Sequence, residues 1–564
     1  MISSLLTRTD FDSYEDFYAN YTFNVPEKFN FGFDIVDAIT AKEPARRAMV
    51  WCNDTGDERV FTMADITRLS NQAANYFAAQ GIRKGDFVML ILKRRWQYWP
   101  AVVGLHKLGA IAIPATALLT KKDIIYRCKA AGVKMIVAVN EPGIRAAIEA
   151  ASAEVEIPVK ALVGANAIDS NRQQSTAIEN IHSTNWLDFD AGMAAASDAF
   201  ARPADCACGE DIMLLYFTSG TTGMPKMVAL NHLYPLGHIA TARYWQRCQP
   251  GGLHFTIAET GWAKTAWGKL YGQWIAGSAV MTYDFEKFAA AEILRVIERH
   301  GVTTLCAPPT MYRYFIKENL RAYDFSKLVW CVVAGEPLNP EVFEQFKAAT
   351  GFELREGYGQ TELTVALGTF PWMRPKPGSM GRPSPGYDID LVDENGRSCE
   401  VGEEGQIVVR TDKRKPFGMF NGYHLDPELT AKVWHDGVYY TGDTAWRDAD
   451  GYYWFVGRAD DVIKSAGYRI GPFEVESALV EHKAVLECAV TGVPDEERGA
   501  VVKATVVLAK GYEPSEALKK ELQNHVKSVT APYKYPRIVE FVTELPKTIS
   551  GKIRRVEIRA KDKQ

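Results

Sequence analysis

Short apolar runs alternate with helix-spaced segments over the first two thirds of this chain, and that alternation constrains the fold more than any other feature. "DFVMLIL" (86–92), "AIAIPA" (110–115), "KMIVAV" (134–139), "IMLLYF" (212–217) and "LVWCVVAGEPL" (328–338) read as buried strands. Between them lie segments such as 62–80, where Ile66, Leu69, Ala73 and Phe77 fall on one helical face and Gly81 is placed to end the helix. Strand–helix alternation demands parallel sheets covered by helices. The polar stretch 165–207 is expected to be a surface excursion. After about residue 380, Asn395-Gly396, Asp436-Gly437 and Asp450-Gly451 separate strand-like runs, which is hairpin chemistry and predicts a β-rich subdomain. Gly471-Pro472 starts a helix, and from Asp461 onward a βαβ-like pattern is long enough for a small domain.

At 564 residues the chain exceeds what one core can organise, so two or more domains are expected. A net charge of -4 offers no general attraction to nucleic acid or anionic membrane. The nine cysteines are scattered; Cys206 and Cys208 are a close pair with no second pair at zinc-site spacing, which favours reduced structural thiols. No apolar run reaches the ~18 residues of a membrane span. The acidic stretch around Asp10, Asp12, Glu15 and Asp16 argues against a transit peptide, so a cytoplasmic location is expected.

Four stretches carry chemistry. "YFTSGTTGMPKMV" (216–228) follows a strand with glycines, hydroxyls and Lys226, a composition suited to phosphate. It is not a Walker A loop, because Pro225 precedes the lysine and Met227 follows it. A surface loop would explain the glycines but not the lysine or the strand before it. "REGYGQTE" (355–362) offers Thr361 to a phosphate oxygen and Glu362 to Mg²⁺, which commonly takes one carboxylate and completes its shell with phosphate and water. In "YYTGDTAWRDADGYYWFVGRADD" (439–461), Asp443 could accept both hydroxyls of a ribose, with Arg458 complementing it; a turn-capping aspartate is the plainer alternative. "PKTISGKIRR" (546–555) places Lys552 in a basic terminal segment that, taken alone, is solvated charge.

In their order along the chain, "TSGTTGMPK", "YGQTE", "YTGD", "GRADDVIKSAGYRIGPFEVE" and "PKTISGKIRR" resemble the adenylate-forming superfamily of acyl-CoA synthetases, adenylation domains and luciferase. "ETGW", "SVTAPYKYPRIVEFVTELPKT" and Met227 after the motif lysine are most similar to its medium-chain acyl-CoA synthetase branch. The resemblance implies an α/β fold: an N-terminal domain (1–459) of parallel βα subdomains plus the β-rich part, and a small mobile α+β domain (460–564) hinged at Asp460. It implies ATP, Mg²⁺ and coenzyme A, with a carboxylic acid activated to acyl-AMP and passed to CoA. Thr218, Ser219, Gly220, Thr221, Thr222, Gly223 and Lys226 would grip the β- and γ-phosphates. Gly335, Glu336 and Pro337 would line the adenine, with Tyr358 stacked on it and Glu356, Gly357, Gly359 and Gln360 beside it. Thr361 would contact the α-phosphate, Glu362 the metal, and Asp443 and Arg458 the ribose. Lys552 would bridge carboxylate and α-phosphate, and Arg469 would reach the nucleotide. Lys552, Thr361, Glu362 and Lys226 are the expected catalytic residues. Ala466, Gly467 and Tyr468 would wall the pantetheine tunnel, with Arg498 and Lys527 for the phosphates of CoA.

The acetate-specific branch closes its pocket with a Trp before "QTE", where this chain has Gly359; Ala334 is also small. A pocket walled by Trp262 and deeper than acetate follows, suited to a medium-chain, branched or aromatic acid. On this reading Gly359→Trp shifts preference toward acetate. Lys264 nearby has no assigned role. Two alternatives stand: an adenylating enzyme that serves a carrier protein, and an inactive binding protein. Homo-oligomerisation is left open, and neither a nucleic-acid partner nor a membrane span is expected.

Overall fold

The computed structural model describes residues 1–164, 186–218, 224–466, 468–547 and 553–562. Among them, one sheet runs in the order Leu187–Asp188, Val159–Val163, Met135–Val139, Phe87–Ile91, Ile111–Pro114, Ile212–Thr218 and Lys226–Asn231. Its neighbours are parallel except the last pair. A larger sheet sets Arg47–Asn53, Ala279–Asp284, Leu253–Thr256, Thr304–Ala307, Trp330–Ala334 and Leu354–Tyr358 side by side in parallel. It then continues through antiparallel strands Leu367–Gly368, Ser379–Pro383, Tyr453–Arg458, Val438–Arg447, Glu404–Arg410 and Asp388–Val392. The α/β architecture and the β-rich part are both present.

Local chemistry explains the boundaries. Thr62 caps the helix Met63–Ala79: its hydroxyl accepts from the Asp65 amide and Asp65 accepts from the Thr62 amide. Ile66, Leu69, Ala73 and Phe77 are buried as the periodicity predicts. The helix ends at Ala79, and Gly81 follows just past it at φ +85°, the left-handed conformation glycine adopts at low cost. Asp436 and Gly437 both have positive φ, 52° and 71°, in the tight turn between Trp434–His435 and Val438–Arg447.

Residues 165–185 lie outside the described residues; 186–207 runs largely along the surface, as expected, but it is pinned to the core at a few points. Trp186, Phe189 and Met193 are buried, and Phe189–Ala195 is a helix. Carbonyls at Ala196, Ser197, Asp198 and Ala199 accept hydrogen bonds from Gln72, Asn75 and Asn71. Side-chain amides of a neighbouring helix thus tie this irregular backbone to the body of the fold.

Past Ile463 the chain has its own buried cluster, including Ile470, Val475, Leu479, Val490, Val506, Leu522 and Val526. Val485–Asp495 and Gly499–Leu508 form an antiparallel pair, and the helix Glu516–Val529 crosses to Ile538–Val542, parallel to Gly499–Leu508. The helix Pro472–Glu481 begins hard against the β-rich part: a Cβ on Gly471 would lie 2.5 Å from the Val456 carbonyl oxygen. All nine cysteines are free thiols, seven of them buried. No helix among the described residues is long and apolar enough to cross a membrane.

Candidate active site

The chemistry-bearing stretches converge because they leave the same ends of parallel strands. Ile212–Thr218 leads into the phosphate-type stretch, Trp330–Ala334 into Gly335-Glu336-Pro337, and Leu354–Tyr358 into Gly359–Glu362. Such carboxyl ends are where open α/β sheets bind ligands. They open on a cleft of about 2640 Å³ lined by Thr218, Lys226, Trp262, Ala334, Gly335, Glu336, Pro337, Tyr358, Gly359, Thr361, Glu362, Asp443, Arg458 and Asp460. Ser219, Gly220, Thr221, Thr222, Gly223, Gly467 and Lys552 lie outside the described residues. Lys547 and Ile553, which pair across the segment holding Lys552, both line the cleft.

Asp443 is the organising group. It sits opposite Arg458 on neighbouring strands and is only 5% exposed. The Tyr358 hydroxyl and the Gln360 amide both donate to Oδ2 at 2.6 Å, and Arg458 Nη1 donates to Oδ1 at 3.2 Å. Gln360 also donates to the Thr441 carbonyl and accepts from Tyr439. Its side chain therefore positions Asp443 and is not free for a nucleotide, a correction to its expected role. Burial would lower the Arg458 pKa, but Asp443 and Asp460 more than reverse this and hold it above its ordinary value.

Glu362 faces the cleft next to Tyr423, whose hydroxyl donates to Oε1 at 2.9 Å. The Lys226 ammonium lies 5.1 Å over the Tyr423 ring. Burial raises the Glu362 pKa, with the Tyr423 hydrogen bond and Lys226 pulling it down. Among the described residues, no three acidic, His or Cys side chains gather as a metal cluster. Glu336 accepts from Thr310 at 2.8 Å, and Gly335 takes φ +105° at the turn beside it. Lys264, unassigned from sequence, donates from Nζ to the Ala334 carbonyl at 2.6 Å and so braces this loop.

Glu356 is not a nucleotide contact through its side chain. It is buried and accepts from the backbone amides of Gly378 (2.9 Å) and Leu338 (3.2 Å), while its carbonyl accepts from Trp245 Nε1. Burial raises its pKa from 4.5 to about 8 against the pull of those amides. The folded chain keeps a proton that the unfolded chain releases, so the stability tied to this group is full below pH 4.5 and is lost as pH rises through about 8. Glu356→Gln keeps the shape but turns an NH₂ toward one of the amides. Urea unfolding is expected to show a loss of about 1–3 kcal/mol and a flatter pH dependence across that window.

The expected CoA face and Arg469 do not reach the cleft in this conformation. Arg469 pairs with Glu394 at 2.9 Å, and Lys464 shares that carboxylate. Tyr468 stacks on Tyr533 at 4.1 Å, the Ala466 amide donates to the Arg498 carbonyl, and the Lys527 ammonium lies 4.0 Å over Tyr535. None of Ala466, Tyr468, Arg469, Arg498 and Lys527 lines the cleft.

The acyl-pocket reading needs a correction. A Cβ on Gly359 would lie 2.2 Å from the Thr364 carbonyl oxygen and 2.4 Å from Cη2 of Trp267. The space freed by glycine is already filled by an indole that sequence reasoning missed, so Gly359→Trp cannot be seated and is withdrawn as a specificity switch. Tyr423 and Tyr439 were missed as well. Trp267 and Tyr423 lie outside every quoted stretch, and Tyr439 opens the 439–461 stretch without any signal of its contact to Gln360.

The sequence model of the AMP-binding enzyme family matches residues 36–424, and that of the AMP-binding enzyme C-terminal domain matches residues 474–552. The chain belongs to the AMP-binding enzyme family. Full-length relatives of this AMP-binding enzyme include mitochondrial acyl-coenzyme A synthetase ACSM3 of Mus musculus, 39% identical over 99% of this chain and 94% of the relative. Mitochondrial acyl-coenzyme A synthetase ACSM5 of Homo sapiens is 42% identical over 95% of this chain and 91% of its own. Among solved structures, an anthranilate CoA ligase in complex with anthranoyl-AMP superposes with TM-score 0.84 at 28% identity, covering 96% of this chain and 98% of that one. An acyl-CoA synthetase of Brucella canis gives 0.73 at 32%, covering 98% and 99%. Both curated relatives are mitochondrial by name, which overturns the cytoplasmic expectation. That expectation rested on acidic residues near the N-terminus, and these do not report compartment.

Proposed function

We propose that this chain is an AMP-forming acyl-CoA synthetase that joins a medium-chain, branched or aromatic carboxylic acid to coenzyme A through an acyl-adenylate. The observation that carries the reading is the Asp443 carboxylate, held by Tyr358, Gln360 and Arg458 in the same cleft as Thr361, Glu362 and Lys226. A carboxylate fixed in place by three donors keeps one of its roughly four acceptor sites open for a ribose hydroxyl, and a second hydroxyl binds by replacing one of the three donors. Full-length similarity to acyl-coenzyme A synthetases supports the same conclusion.

With the ribose on Asp443, Tyr358 lies beside the adenine and Thr361 beside the α-phosphate. Lys226 would then meet the β- and γ-phosphates. A carboxylate oxygen attacks the α-phosphorus; the new O–P bond forms as the bond to the β-phosphate oxygen breaks, and pyrophosphate leaves. The nucleophile is already ionised, so the protein supplies position and positive charge, and no general base is required. Glu362 would hold Mg²⁺: its carboxylate faces the cleft, and one carboxylate suits an ion that takes its other ligands from phosphate and water. When bound, the ion neutralises charge on the phosphate oxygens. In the second step the CoA sulfur attacks the acyl carbonyl, its proton passes to solvent, and the bond to AMP breaks.

Lys552 would bridge carboxylate and α-phosphate in the first step. The presence of Lys547 and Ile553 in the cleft, with Ala466 and Tyr468 of the expected CoA face outside it, supports reading this conformation as the adenylation arrangement. A rotation of residues 460–564 at Asp460 would then exchange the two faces. The test is pyrophosphate and AMP release across a carboxylate panel. Pyrophosphate release should require a carboxylate, and steady AMP release should also require CoA. ATP cleavage indifferent to both would refute the reading.

A further inference from the structure

We propose that Trp267 is the end wall of the acyl pocket and sets its length limit, so that medium-length, branched or flat aromatic acids are admitted and long extended chains are not. This deepens the proposed function and rests on it. Trp267 lines the cleft yet is only 7% exposed, so little of it meets the pocket while the rest is packed. It lies flush on the backbone of Gly359, the position from which a deeper pocket was expected to open.

The wall is also rigid. The Trp267 carbonyl accepts from the side-chain amides of Gln273 at 2.8 Å and Gln246 at 3.2 Å, which anchors the residue by its backbone. The next residue, Gly268, is pressed so closely on Thr256 that a Cβ would sit 1.8 Å from its hydroxyl oxygen. The short helix Lys264–Gly268 therefore cannot recoil. Trp245 stands edge-on behind the indole, ring centres 6.3 Å apart, and is itself fully buried with its Nε1 bonded to the Glu356 carbonyl. A growing acyl chain that meets this stack has nowhere to displace it, and overpacking is resisted as it is in any close-packed interior.

Removing the indole would leave a hollow bordered by His238, whose ring centre is 6.4 Å from that of Trp267. His238 is fully buried, and neither ring nitrogen has a hydrogen-bond partner among the described residues. That site is therefore receptive to water or to a polar chain end once it becomes reachable.

The experiment measures kcat/KM for linear acids from acetate to dodecanoate, and for benzoate, in the wild type and in Trp267→Leu and Trp267→Phe. The wild type should peak at an acid of intermediate length and decline beyond it. Trp267→Leu should move the peak to longer acids, with roughly a fourfold gain for each added methylene that finds room, and Trp267→Phe should fall between. Unchanged profiles in variants that still turn over the wild type's best acid would overturn the inference. So would a wild type that uses dodecanoate as well as its best acid, an outcome that needs no variant to fold. A wild type that activates no carboxylate would refute the proposed function instead, and a shifted peak without loss of rate upholds both.

Discussion

Lys552→Ala is expected to lower carboxylate-dependent pyrophosphate release by about 10²–10³-fold, equivalent to ~2.7–4 kcal/mol of transition-state stabilisation, while sparing thioester formation from supplied acyl-AMP. The asymmetry is the informative part. A lysine needed only while charge develops at the α-phosphate matters to one half-reaction and not to the other. The residues flanking its segment, Lys547 and Ile553, line the same cleft as Asp443 and Thr361. Arg555 and Arg559 tie the following residues to Asp461, next to the expected hinge. Equal loss in both half-reactions, measured by single-turnover assays, would contradict an exchange of faces at one cleft.

Asp443→Ala is expected to raise the KM for ATP by about 10²–10⁴-fold, the effect of losing two hydrogen bonds to a charged acceptor at ~1.5–3 kcal/mol each. It would also leave Tyr358, Gln360 and Arg458 around an absent acceptor, so stability falls as well. Thermal melts with and without ATP separate the two effects. The variant should melt lower, and ATP should no longer raise its midpoint as it does for the wild type. An unchanged ATP KM would remove Asp443 from the nucleotide site and with it the main support for the proposed mechanism.

Much of this architecture is legible in the sequence because strands buried on both faces leave continuous apolar runs, and because Asn-Gly and Asp-Gly turns have one dominant use. The runs at 86–92, 134–139 and 212–217 become Phe87–Ile91, Met135–Val139 and Ile212–Thr218. The candidate site was legible to the extent that its residues sit in contiguous motifs, Thr361 and Glu362 just past a strand end and Asp443 within Val438–Arg447. What was misread depends on neighbours far away in the chain. Gly359 shows that a side chain is absent but not that Trp267 fills the gap. Gln360 and Glu356 look like ligands in a nucleotide motif, yet Thr441, Tyr439, Leu338 and Gly378 occupy their polar atoms. The segment 186–207 reads as a surface stretch and largely is one, but its ties to Asn71, Gln72 and Asn75, more than a hundred residues earlier, leave no mark in it.

The most direct test of an acyl-adenylate formed in this cleft is exchange of labelled pyrophosphate into ATP in the absence of CoA. The account predicts exchange that starts only when a suitable carboxylate is added and that Asp443→Ala and Lys552→Ala suppress. Exchange without any carboxylate, or none until CoA is supplied, would contradict it.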